Sequence, residues 1–114
     1  MIKISILYPA VPGGRFDVDY YVQKHMPMSL RLLSPALRGA TVDEGVRTES
    51  PELQTPYVAM SHLLFDSLEA FKAAFAPHAA TLTGDMPNYT DIRPIIQMSE
   101  VRIHFRPSGD RGSA

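Results

Sequence analysis

The nine residues from Tyr57 to Phe65 constrain this chain more than any others. Tyr57, Ala59, Ser61, Leu63 and Phe65 alternate with Val58, Met60, His62 and Leu64, so a strand here is largely apolar on both faces. A strand of that kind needs cover on both sides. Helices on one face of its sheet supply half of that cover, and something else has to supply the rest.

The flanking sequence shows where the helices come from. Ile2 to Tyr8 alternates cleanly, with Ile2, Ile4, Ile6 and Tyr8 on one face, and reads as a first strand. A helix opens at Asp17 and carries Val18, Tyr21, Val22, His25, Met28, Ser29 and Leu32 on one stripe of 3.6-residue period. Pro35 ends it near Ser34. Arg38 to Thr48 reads as a second strand, and Glu49 to Pro56, polar and bracketed by prolines, as an exposed loop. After Phe65, Asp66 or Ser67 caps a second helix with Leu68, Phe71, Phe75 and Leu82 as its buried stripe, interrupted at Pro77. Gly84 to Asp91 is a turn-rich connection, and Pro94 to Phe105 reads as the last strand.

The order is therefore β-α-β-β-α-β. Right-handed crossovers place both helices on one face of a four-stranded antiparallel sheet, the α+β arrangement called ferredoxin-like. Residues 1–106 make one domain, and Pro107 to Ala114 a polar, mobile tail. The other sheet face is left bare and apolar, a patch larger than a soluble monomer exposes. A homodimer through that open sheet face is the expectation, with small cavities enclosed between the two sheets.

Composition narrows the function classes. The 114 residues carry a net charge of −1, which removes the electrostatic drive for nucleic-acid binding. There is no cysteine, hence no disulfide, thiol nucleophile or cysteine-held metal. No HExxH and no two-histidine, one-carboxylate cluster occurs, so no metal site is expected. The Ile2–Leu7 run is too short for a signal peptide or a membrane span, which makes a cytoplasmic protein the expectation.

The stretch from Tyr8 to Pro27 holds the candidate chemistry. A loop rigid at Pro9 and Pro12 turns at Gly13-Gly14. Asp17 stands where a helix N-cap belongs, which makes Phe16 and Tyr21 the N′ and N4 partners of a hydrophobic staple. His25 lies one turn beyond Tyr21 on the same face, and Pro27 breaks the hydrogen-bond ladder beside it. An imidazole there can give or take a proton near neutral pH. It can equally be a structural ring satisfied by a backbone carbonyl. Tyr21 can orient that ring or bond a substrate carbonyl, or it can serve only as the staple partner. Asp17 reads as a cap before it reads as a catalyst. His62 shares a face with Met60 and can assist His25 from an inner face of the sheet, or be a bonded core histidine. His78 and His104 read as structural or exposed.

Two runs also carry a resemblance. Tyr8-Pro9, Pro12-Gly13, Phe16-Asp17, Tyr20-Tyr21 and His25-Met26-Pro27, followed by Asp85-Met86-Pro87-Asn88-Tyr89-Thr90-Asp91 and Ile95 to Val101, resemble the EthD family, named after a protein of ethyl tert-butyl ether degradation. The similarity runs from Met1 to about Phe105. It implies a dimeric α/β barrel, whose relatives include cofactor-independent monooxygenases, muconolactone-type isomerases, polyketide dehydratases and haem enzymes. In a related methylmuconolactone isomerase a helical Tyr/His pair lines the pocket, so the resemblance implies Tyr21 and His25 as the catalytic pair. Tyr8, Phe16, Met28, Met60 and His62 are the expected substrate-contact residues. No Gly-rich dinucleotide fingerprint occurs, and no cofactor is expected. The barrel hosts many chemistries, so a reaction is not inherited from it. Two functions stay open: a cofactor-free enzyme acting on a small, apolar, oxygenated molecule, and a non-catalytic ligand carrier using the same pocket.

Overall fold

Residues 1–50 and 53–108 are described by the structure, a computed structural model. Strands β1 (Ile2–Pro9), β2 (Gly39–Glu44), β3 (Tyr57–Phe65) and β4 (Ile95–Glu100) form one sheet in the order β2-β3-β1-β4. Every neighbouring pair is antiparallel. This is the ferredoxin-like α+β topology expected from the element order. The last six residues of the expected tail, 109–114, lie outside the described residues, as do two of the expected loop, 51 and 52.

Register fixes which side chains share a face. Ile4 stands opposite Leu63, Ile6 opposite Ser61 and Tyr8 opposite Ala59, and these residues point toward the helices. Across β4, Ile96 and Met98 pair with Ile6 and Ile4 and share that face. The opposite face takes Lys3, Ser5 and Leu7 from β1, paired with Leu64, His62 and Met60 of β3. Ile95, Gln97 and Ser99 of β4 lie on it too. This open face is thus more mixed than β3 alone suggests, because β1 and β4 bring Lys3, Ser5, Gln97 and Ser99 to it.

The first helix is continuous but changes pitch. Segment α1 (Val18–Tyr20) runs into a π turn over Tyr21–His25 and then α2 (Met26–Leu33). The Met26 N–H reaches the Tyr21 carbonyl, five residues back. Pro27 has no amide hydrogen, and its ring presses on the carbonyl four residues earlier, so the wider turn ahead of it absorbs the misfit. That extra residue rotates the stripe. Tyr21, His25, Met26, Ser29 and Leu33 are buried, whereas Val22 is 48% exposed and Met28 and Leu32 are only half-buried.

The second helical segment of this layer is α3 (Leu68–Phe75), a 3₁₀ turn at Ala76–His78 around Pro77, and α4 (Ala79–Gly84). Ser67 caps α3, its hydroxyl accepting from the Ala70 N–H at 3.1 Å. The strands are shorter than the sequence pattern predicts. β4 stops at Glu100, opposite Ile2 at the first position of β1, and the Val101 N–H on the Met1 carbonyl is the last bond that continues the ladder. Ile103 and Phe105 are consequently exposed outside the sheet. Likewise β2 ends at Glu44, and Val46 points to solvent.

Candidate functional site

The loop after β1 makes a tight turn, with the Gly14 N–H on the Val11 carbonyl at 2.8 Å and Gly13 at φ +76°. Pro12 and Gly13 fill the two central positions as a type II turn requires. The Asp17 carboxylate then accepts from the Tyr20 N–H at 3.1 Å, the expected N-cap. Phe16 and Tyr21 meet edge-to-face with centroids 5.0 Å apart, completing the staple. Tyr21 in turn stacks on His25 at 5.7 Å, the planes 13° apart.

The run from Asp85 to Asp91 is stitched onto this loop. Asp17 N–H bonds the Tyr89 carbonyl, Arg15 N–H the Asp91 carboxylate, and the Thr90 hydroxyl donates to the Arg15 carbonyl, each at 2.7 Å. The stitching carries Asp85 and Tyr89 to the first helix. His25 Nδ1 lies 2.9 Å from Asp85 Oδ2. The other carboxylate oxygen accepts from the Tyr20 hydroxyl at 2.7 Å and from the Asn88 amide at 2.9 Å. Burial pushes the Asp85 carboxyl pKa up, but the bonds from Asn88, His25 and Tyr20 outweigh it and hold the group below 3.8. Tyr20, bonded to that carboxylate, has its phenol pKa raised.

Three more phenols close around the imidazole. The Tyr89 ring sits 4.6 Å from the His25 ring, and the Tyr8 and Tyr89 hydroxyls are 2.7 Å apart. Tyr8, Tyr21 and Tyr89 are all buried. Burial raises the pKa of all three phenols above 10, most of all at Tyr89, where the Tyr8 hydroxyl adds to it. They are neutral hydrogen-bonding groups across the physiological range.

This cluster forms one wall of a cavity of about 270 Å³ between the helices and the sheet. Ile4, Ile6 and Leu63 make the floor, and Leu33, Phe71, Phe75 and Met86 much of the rest. Ile96 and Met98, 60% and 51% exposed, border it on the β4 side, where it opens. Among its lining residues there is no lysine, arginine or carboxylate. Only His25 Nδ1 is engaged by a side chain among the described residues, so Nε2 is left to the cavity.

Of the expected site residues, the structure brings His25, Tyr21 and Tyr8 together on this cavity. Phe16 touches all three tyrosine rings but lines a separate groove of about 440 Å³ with Glu44, Arg47 and Thr55. Met28 is turned off the lining by the π turn, and Met26 takes its place. Met60 and His62 lie on the opposite face of the sheet, so neither lines the cavity and His62 does not assist His25. His62 is satisfied there by Ser5 at 2.8 Å and stands 3.7 Å from Asp43. The expected position of the cavity is corrected accordingly. His25 points under the helices of its own chain, because the Tyr21–His25 stripe is the one packed on the sheet. Asp85, Tyr20, Asn88 and Tyr89 were not expected. Tyr20 and the Asp85–Asp91 run both carry the family resemblance, but no site role was read from them, since a partner 60 residues from His25 leaves no spacing to detect.

The EthD domain model matches residues 15–93, which includes both halves of the cluster. The chain belongs to the EthD family. No curated protein sequence matches it. Among solved structures, an EthD-like protein from Ralstonia eutropha JMP134 shares 40% identity over 91% of this chain and 94% of its own, with a TM-score of 0.84. An EthD family protein from Bacillus halodurans C-125 is 20% identical over 89% and 98%, with a TM-score of 0.69. SnoaB, a cofactor-independent oxygenase from Streptomyces nogalater crystallised as a variant, is 11% identical over 93% and 95%, with a TM-score of 0.53. It shares the fold. No helix among the described residues is long and apolar enough to cross a membrane.

Proposed function

We propose that this EthD protein is a cofactor-independent enzyme that transfers a proton to or from a small, neutral, largely apolar oxygenated molecule. The observation that carries the reading is His25: an imidazole lining an apolar cavity, with one nitrogen on a part-buried carboxylate and the other without a side-chain partner among the described residues. Such a placement supports general acid/base catalysis. The cavity lies just below the usual range of about 300–1,000 Å³ for ligand pockets, which favours a small substrate. With no cation on its walls, a carboxylate or phosphate would be desolvated without a partner, so lactones, ketones and phenols fit better. Tyr21 holds the imidazole plane by stacking, and the mutually bonded phenols of Tyr8 and Tyr89 keep that wall polar but uncharged. The cofactor-independent oxygenase of the same fold is consistent with chemistry of this kind.

The homodimer belongs to the same proposal. Leu7, Met60, Leu64 and Ile95 leave apolar surface on the sheet face that no helix covers, and a second copy would cover it. A non-catalytic carrier is the second reading, favoured by the apolar walls alone. His25→Ala separates the two. An enzyme loses turnover of a neutral lactone or phenol while retaining much of its affinity. Wild-type protein that binds such a molecule and never converts any member of the class would establish the carrier.

A further inference from the structure

We infer that Asp85 is the positioning residue that fixes His25 as a base, by holding the proton on Nδ1 and keeping the Nε2 lone pair in the cavity. The inference rests on the reading of His25 as the proton-transfer group, and it assigns direction to it. An ionised carboxylate only accepts hydrogen bonds. Asp85 Oδ1 already takes the Tyr20 hydroxyl and the Asn88 amide, and Oδ2 faces His25 Nδ1 at 2.9 Å. Nδ1 must therefore carry hydrogen, and in the neutral ring Nε2 must not. The less common neutral tautomer is imposed from outside the cavity by a residue absent from its lining.

The chemistry follows from the tautomer. Nε2 takes a proton from a substrate O–H or a C–H beside a carbonyl, and the bonding electron pair stays on the substrate as phenolate or enolate. His25 becomes an imidazolium whose Nδ1–H remains on Asp85, so the new positive charge forms beside a fixed negative one. Return of the same proton to another substrate atom completes an isomerisation with no oxidant or reductant. No charged side chain among the lining residues competes for that proton.

The Tyr20 and Asn88 donors also determine what a substitution does. In Asp85→Asn the amide oxygen is held where Oδ1 stood, because both neighbours donate to it. The amide NH₂ then takes the place of Oδ2 and donates to Nδ1. That inverts the tautomer: Nε2 now carries the hydrogen and the base is blocked. In Ser-His-Asp proteases the equivalent change lowers kcat by ~10⁴ for this reason.

The test needs no ligand. Long-range ¹H–¹⁵N correlation spectra of the intact chain at about pH 8, where imidazoles are ordinarily neutral, report which ring nitrogen is protonated. His25 is assigned by the signal missing in His25→Gln. The expected result is protonated Nδ1 and bare Nε2 in the wild type, and the reverse in Asp85→Asn. A wild-type ring with hydrogen on Nε2, whether neutral or doubly protonated, overturns the inference. So does an Asp85→Asn protein, folded by its remaining amide spectrum, in which His25 keeps its tautomer. If Asp85→Asn does not fold, the wild-type spectrum alone decides. Failure of neutral ligands to bind would end the proposed function and leave this assignment standing.

Discussion

Replacing Tyr8 by Phe tests the buried phenol pair most sharply. Its hydroxyl lies 2.7 Å from that of Tyr89, and the two residues are 3% and 0% exposed. Tyr8→Phe leaves a Tyr89 hydroxyl sealed from water and without that partner, a cost of about 1–3 kcal/mol. Tyr89→Phe is milder, because the Tyr8 hydroxyl keeps a second neighbour in Tyr21. Removing both partners strands neither, so the double variant should cost less than the two singles combined by about 1 kcal/mol or more. For a domain of this size 1 kcal/mol moves Tm by roughly 4 °C. Urea unfolding at one protomer concentration measures all four proteins, since association would otherwise shift the midpoints. An additive result, within about 0.5 kcal/mol, would refute the pairing.

Three further outcomes follow from named contacts. Asp17→Ala should destabilise the chain by about 1 kcal/mol in the same unfolding assay, and an unchanged midpoint would remove Asp17 as the cap. The folded Asp85 carboxyl titrates below its ordinary 3.8, so its stabilisation is complete above that pH and fades as pH falls through the lower folded value; Asp85→Asn should flatten this acid limb, and identical limbs would contradict it. Met60→Asp puts a charge on the open sheet face and should shift light scattering at micromolar concentration from dimer to monomer, whereas a dimer that persists would place the interface elsewhere.

Much of the fold was legible because each element carried its own period. Alternation exposed all four strands, and Asp17, Ser67, Pro27 and Pro77 marked where the helices begin or change pitch. Strand lengths were less legible. Val101, Ile103 and Phe105 alternate as a strand should, yet the β1 ladder ends at the Ile2–Glu100 pair, and alternation alone does not reveal where a partner strand stops. Tyr21 and His25 could be found by spacing because one helix holds both. Asp85 and Tyr89 reach them through the backbone and side-chain bonds between residues 15–17 and 89–91, a long-range closure that no local pattern encodes. Alternation put His62 and Met60 on a shared face but does not reveal which face the helices cover.

The account turns on the cavity beneath the helices being where a neutral molecule binds. Titrating the ¹⁵N-labelled chain with a neutral lactone and, separately, a simple phenol measures this directly. Chemical-shift changes should concentrate at His25, Tyr21, Met86, Ile96 and Met98, and a benzoate of similar size should leave them still. Changes confined to the groove around Arg47 or to the face bearing His62, or none with any neutral compound, would contradict the account.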